Sequence, residues 1–223
     1  MTALTDYATW VFDCDGVLLN SNLVKTDAFY RTAEPYGVDK ARALVDYHVK
    51  NGGISRYVKF QRFLTDIVGR ETATLEELEP LLDRYAGYVS QGLLTCDVAE
   101  GLSRLRELTS GTSWLVVSGG DQAELRSVFD ERGLADYFDG GIFGSPDTKD
   151  EILVRLLEEG NIINPGVFVG DSQYDIEAAT RAGLDFVFLE RWSESKFAFE
   201  RAVLKLDGVD SMITLIQRQQ QRG

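Results

Sequence analysis

The chain has 223 residues, 44% of them apolar, and a formal net charge of −13. This length suits one large domain or one domain carrying an insertion, and the apolar share supports a packed core and excludes a disordered chain. The negative charge argues against nucleic acid or an anionic membrane as partner, and no apolar run approaches the roughly 18 residues of a membrane helix.

Residues 1–9 are polar and lack a basic segment followed by an apolar one, which argues against a secretory signal. The first apolar run, Trp10-Val11-Phe12, predicts a buried strand, and Asp13-Cys14-Asp15-Gly16-Val17-Leu18 follows it directly. Two cysteines, Cys14 and Cys96, make no disulfide framework in a chain this long, so the reading is a reducing, cytoplasmic protein. Region 20–92 has no comparable strand run and reads as helices. Leu75, Leu78, Leu82, Tyr85 and Val89 fit one face of a long helix, and Gly52-Gly53 and Gly69 punctuate the region. It holds as many basic as acidic residues, so the rest of the chain carries the whole negative charge. Within it, residues 47–65 contain Lys50, Arg56, Lys59 and Arg62 and no acid. That stretch is either a solvated helix face or a local lure for an anionic substrate. His48, the sole histidine, reads as a packed or exposed residue rather than a catalytic one.

Beyond residue 92, Leu102, Leu105 and Leu108 recur at helical spacing. The run Trp114-Leu115-Val116-Val117 predicts a second strand, and Ser118-Gly119-Gly120 a glycine-rich turn before a helix starting near Gln122. A shorter run, Gly141-Ile142-Phe143, suggests another strand. Lys149 opens a helix carrying Ile152, Leu153, Leu156 and Leu157. Val167-Phe168-Val169 and Phe186-Val187-Phe188-Leu189 complete the strands, and residues 217–223 read as a frayed polar tail. Near-continuous apolar runs alternating with helices predict a doubly wound parallel α/β sheet covered on both faces. The predicted organisation is an α/β core, 1–19 plus 93–223, with an all-helical domain, 20–92, inserted after the first strand.

In such a sheet the carboxyl ends of the strands face one crevice. Asp13 and Asp15, two apart in an extended segment, point the same way. Crowded carboxylates repel unless a cation intervenes, and Mg²⁺ takes oxygen ligands of this kind; the alternative is a capped turn. Asp171, after Gly170, offers a further ligand. Asp175 either caps the next helix or orients the metal site. The amides of Gly119 and Gly120 can present N–H groups to a phosphate, and Lys149 can supply the cation that a phosphate needs among acids. Cys14 lacks a nearby base, so it reads as a small packed hydrophobe rather than a nucleophile.

These pieces, in this order, resemble the haloacid dehalogenase superfamily, in particular its capped phosphatases and β-phosphoglucomutase-like members. The matching motifs are Asp13-Cys14-Asp15-Gly16-Val17-Leu18, Ser118, Lys149 and Gly170-Asp171-Ser172-Gln173-Tyr174-Asp175. Many relatives have Lys-Pro at the third motif, whereas Pro146 here precedes Lys149. The resemblance implies a Rossmann-like core with a helical cap and a cytoplasmic, magnesium-dependent hydrolase, a phosphatase of a small phosphorylated metabolite. It makes Asp13 the nucleophile that forms an aspartyl-phosphate and Asp15 the acid and base. Mg²⁺ is then held by Asp13, Asp171 and the backbone carbonyl of Asp15. Ser118, the Gly119 amide and Lys149 hold the phosphoryl oxygens, and Asp175 supports them. Arg56, in Gly53-Ile54-Ser55-Arg56, becomes a second substrate anchor on the cap. A sugar phosphomutase is the alternative, although that family carries a histidine shortly after the nucleophile and residues 20–30 have none. A carbon–halogen hydrolase would lack Asp15 and need no metal. A non-catalytic binding protein would have lost a motif.

Overall fold

Each apolar run of the sequence lies in a strand of one sheet. The computed structural model describes residues 2–194 and 204–221. The strands are β1 (Thr9–Phe12), β2 (Ser113–Asp121), β3 (Gly141–Ser145), β4 (Gly166–Gly170), β5 (Asp185–Leu189) and β6 (Leu204–Leu206). They pair in the order β3-β2-β1-β4-β5-β6, every pair parallel. Side chains alternate between two covered faces, so the runs are continuously apolar rather than alternating. Val11, Leu115, Val117 and Phe168 pack on one face with Ile152, Leu153 and Leu156. Trp10, Phe12, Trp114 and Val116 pack on the other. There the Phe12 and Trp114 rings lie 4.7 Å apart at 53°. Cys14 is fully buried with a free thiol, in keeping with a packing role.

Between β1 and β2 lie α1 (Asn22–Ala33), α2 (Val38–Lys50), α3 (Arg56–Arg62), which continues into a π turn over Phe63–Val68, and α4 (Leu75–Thr95). Phe29, Phe60, Phe63 and Tyr85 meet among these helices and extend the apolar cluster of the Trp10 face. The remaining helices are α5 (Leu102–Leu108), α6 (Gln122–Glu131), α7 (Lys149–Glu158), α8 (Gln173–Arg181) and α9 (Val209–Gln220). No helix among the described residues is long and apolar enough to cross a membrane.

Four details differ from the sequence reading. The buried row of α4 is Leu81, Tyr85, Val89 and Leu93, spaced four apart, while Leu75 opens the helix 75% exposed. Helix α4 also continues past residue 92 to Thr95. The Gly119-Gly120 pair is no turn: β2 runs on through it with a register shift, and the chain turns at Asp121. Asp121 accepts a hydrogen bond from Glu124 N at 3.0 Å and caps α6, so the turn chemistry belongs to the aspartate. Finally, residues 217–220 extend α9, because Met212 and Ile216 anchor the helix in the core; residues 222–223 lie outside the described residues.

Candidate active site

Three strand-to-helix junctions meet at the carboxyl edge of the sheet. Asp13 follows β1, and its N–H still bonds to Val169 O of β4 at 2.9 Å, so the two strand ends are locked together. Asp171 follows β4. Lys149 is the first residue of α7, set there by a capping box between Thr148 and Glu151. Its ammonium, 1% exposed at the residue level, lies 2.9 Å from Asp13 Oδ1 and 2.5 Å from Asp175 Oδ1. The absence of an adjoining proline therefore does not keep Lys149 from the site. Asp175 caps the next helix, one of the two roles the sequence left open, and also binds Lys149. Its Oδ2 accepts from Ser172 Oγ at 2.7 Å and Ser172 N at 3.0 Å, a capping box that starts α8, while Oδ1 grips Lys149.

The formal charges do not balance here. Burial opposes the Lys149 charge, but Asp13 and Asp175 outweigh it and push the pKa up, so the ammonium is kept. Burial lifts Asp13 to about 7, against the pull of Lys149. Burial, then Asp13 and Asp175, push Asp171 well above the ordinary carboxylate range. Oxygens of Asp13, Asp171 and Asp175 all lie within 4.8 Å of one another. Burial and the crowding of three carboxyl groups around one lysine make Asp13 and Asp171 hold their protons, a cation could take the place of those protons, and the donor set is oxygen only. These groups fit a hard divalent cation such as Mg²⁺.

The Asp15 carboxylate is held apart from that cluster. It accepts from Ser21 Oγ at 2.6 Å and forms an ion pair with Lys25 of α1. Burial alone would raise its pKa, but Lys25 and Ser21 overcome this and hold it low. Gly16 makes the divergence possible. Its φ is +74°, and a Cβ there would lie 2.1 Å from Asp171 Oδ2. Asn22 Nδ2 donates to that same oxygen at 3.0 Å.

A cleft of about 610 Å³, its open mouth included, is lined by Asp13, Asp15 and Asp171 below and by cap residues above. Gly119 and Gly120 form the wall beside Ser118, which is fully buried and accepts from Gly120 N at 3.0 Å. The cap loop rests on this wall: a Cβ at Gly119 would lie 2.2 Å from Gly53 O. Arg56 lines the cleft, yet its guanidinium pairs with Glu124 and sits 4.8 Å from the Tyr85 ring centre. Of the basic stretch, Arg56 and Lys59 turn inward, while Lys50 and Arg62 are exposed. His48 packs on Phe29 at 4.5 Å and lies 2.8 Å from Lys59 Nζ.

Sequence reasoning missed Ser21, Asn22 and Lys25, whereas Lys59 belongs to the basic stretch that it read as either a solvated face or a lure for an anion. The first three sit at the start of α1, on the segment leaving the Asp15 turn, and their proximity in sequence to that turn was the available signal.

A family model described as a haloacid dehalogenase-like hydrolase matches residues 7–183. No curated protein matches the sequence significantly. Solved structures of similar fold include a predicted phosphatase from Clostridium acetobutylicum, 19% identical, with a TM-score of 0.73 over 95% of this chain and 99% of that one. A predicted phosphoglycolate phosphatase from Haemophilus somnus is 18% identical, with a TM-score of 0.70 over 97% and 99% of the two chains. CbbY from Rhodobacter sphaeroides, in complex with phosphate, is 17% identical, with a TM-score of 0.68 over 94% and 96%.

Proposed function

Because the chain belongs to the haloacid dehalogenase-like hydrolases, we propose that it is a magnesium-dependent phosphatase of a small phosphorylated metabolite, working through an aspartyl-phosphate at Asp13. The supporting observation is the buried Lys149 wedged between Asp13 and Asp175, with Asp171 alongside. Such an arrangement is costly without a further cation and a phosphate to share.

Asp13 attacks phosphorus. Its oxygen forms the new P–O bond as the ester P–O bond breaks, and Asp15 gives the departing alkoxide its proton. Lys25 and Ser21 favour the ionised form of Asp15, and the negative charge of an arriving phosphate opposes them by raising its pKa. Water then attacks the aspartyl-phosphate, Asp15 takes its proton, and Asp13 is released with inorganic phosphate. Lys149, Ser118 and the Gly119 amide are the candidates to hold the phosphoryl oxygens, and Asp175 keeps Lys149 in place. Asp13, Asp171 and the Asp15 carbonyl would hold Mg²⁺, which when bound neutralises charge between nucleophile and phosphate. Arg56 contributes to the cap wall, where its pairing with Glu124 makes it a fixed rather than a free anchor. Lys25 of α1 pairs with Asp15, and residues 20–30 have no histidine of the kind phosphomutases carry shortly after the nucleophile, which supports hydrolysis over isomerisation.

The test is phosphate release from a panel of phosphomonoesters with Mg²⁺, comparing wild type, Asp13→Asn and EDTA-treated protein. The proposal expects release by wild type alone. Equal release by Asp13→Asn would refute the nucleophile, and release that persists in EDTA would refute the metal.

A further inference from the structure

The cap end of the cleft holds a cation that the chemistry above does not use. Lys59 is 2% exposed and lines the same cleft as Asp13 and Asp171. The other cations at the cleft are committed: Lys149 to Asp13 and Asp175, Lys25 to Asp15, and Arg56 to Glu124. Lys59 forms no ion pair among the described residues. Its polar partner is His48 Nδ1 at 2.8 Å, and its ammonium stands 5.5 Å from the Phe29 ring centre. Glu194, also at the cleft, is held by Thr26 at 3.3 Å.

His48 fixes how the ammonium is held. Burial, then Lys59, hold the histidine's pKa well below the ordinary value, so the ring is neutral. With Nδ1 accepting from the Lys59 ammonium, the network assigns the ring proton to Nε2. That atom is buried and has no partner. The ring therefore orients the Lys59 ammonium without neutralising it, and a buried ammonium that meets no carboxylate within ion-pair distance among the described residues is expensive.

We propose that Lys59, oriented by His48, reads a second anionic group on the substrate, a carboxylate or another phosphate, at the cap end of the catalytic cleft. This rests on the phosphatase reading and narrows its substrate class to phosphomonoesters whose organic half is itself acidic. Burial, then Lys25, lower Lys59 to about 7 in the ligand-free protein, and a bound anion restores its charge.

The experiment measures kcat/KM for matched substrates: 2-phosphoglycolate against ethyl phosphate, and a hexose bisphosphate against the corresponding monophosphate. In wild type one acidic member should exceed its partner by about tenfold or more, the worth of hydrogen bonds to a charged group. The first pair identifies a carboxylate, the second a phosphate. In Lys59→Met the ratio should fall to within about twofold of one, the loss appearing in KM, as for an interaction equal in ground and transition states. Equal preference in wild type overturns the inference, as does a ratio unmoved by the substitution. If Lys59→Met does not fold, the wild-type ratios and Lys59→Gln decide. Failure of wild type on every phosphomonoester, p-nitrophenyl phosphate included, would instead refute the phosphatase reading and this inference with it.

Discussion

Single side chains set the site through a few close contacts. At Gly16 any Cβ collides with Asp171 Oδ2 and must adopt a positive φ. Gly16→Ala should therefore shift Asp171 and lower phosphate release by about a hundredfold, the scale of a misplacement near 1 Å; steady-state kinetics on the folded variant checks this. Lys149→Met leaves Asp13 and Asp175 buried without their cation. Urea denaturation should record a loss of about 3–5 kcal/mol, the usual cost of breaking a buried pair from one side. Wild-type stability in that variant would show that the pairing contributes nothing to the fold. The aspartates after β1 and β4 were legible because several strand ends carry acids and glycines together, where a single one would pass for a capped turn. The partners of Asp15 were not, since Ser21 and Lys25 read as ordinary residues at a helix start until α1 folds back over the nucleophile turn.

Elements carry these residues to one place, and their own termini do part of the chemistry. Helix α8 begins with Ser172 and Asp175 reciprocally capped. Ser172→Ala should cost about 1 kcal/mol in thermal or urea unfolding, the typical worth of an N-cap. The end of β2 and the cap loop touch through Gly119 and Gly53 O. Gly119→Ala should hold the loop off the strand and raise KM while the fold, read by circular dichroism, is kept; an unchanged KM would show that the contact is dispensable. The five strands of the central sheet were readable because both faces are covered, which makes their runs wholly apolar. Strand β6 was not: Leu204-Lys205-Leu206 is short, alternating and at the sheet edge, so it lacks that signature. The Gly119-Gly120 pair misled for a related reason. Glycine marks either a turn or a close approach of chains, and only the packed cap reveals the second. The face of α4 was read too narrowly: Leu78, Leu82, Tyr85 and Val89 do face the core, but Leu75 is exposed and Leu81 and Leu93 complete the buried row.

For the molecule as a whole, the cap and the sheet share one apolar cluster, and buried charged groups line the cleft between them. That arrangement ties stability to pH. Lys59 titrates near 7 when folded and near 10.4 when unfolded, so between those values the unfolded chain binds more protons. Stability should rise with pH across that window and be lost as pH falls toward 7. His48, also held below its ordinary value, extends the loss on further acidification. The charged neighbours in this balance are Lys25, Asp15, Lys149 and Glu194. Urea midpoints between pH 7 and 10 check the slope, which Lys59→Met should flatten. The proposed hydrolysis requires that Asp13 become covalently phosphorylated. Acid-quenching wild type during turnover of a phosphomonoester with Mg²⁺, then mapping peptides by mass spectrometry, tests it most directly. A phosphoryl group on the Asp13 peptide, absent from Asp13→Asn, is the predicted result; a phosphoryl group on another residue, or full turnover by Asp13→Asn, would contradict it.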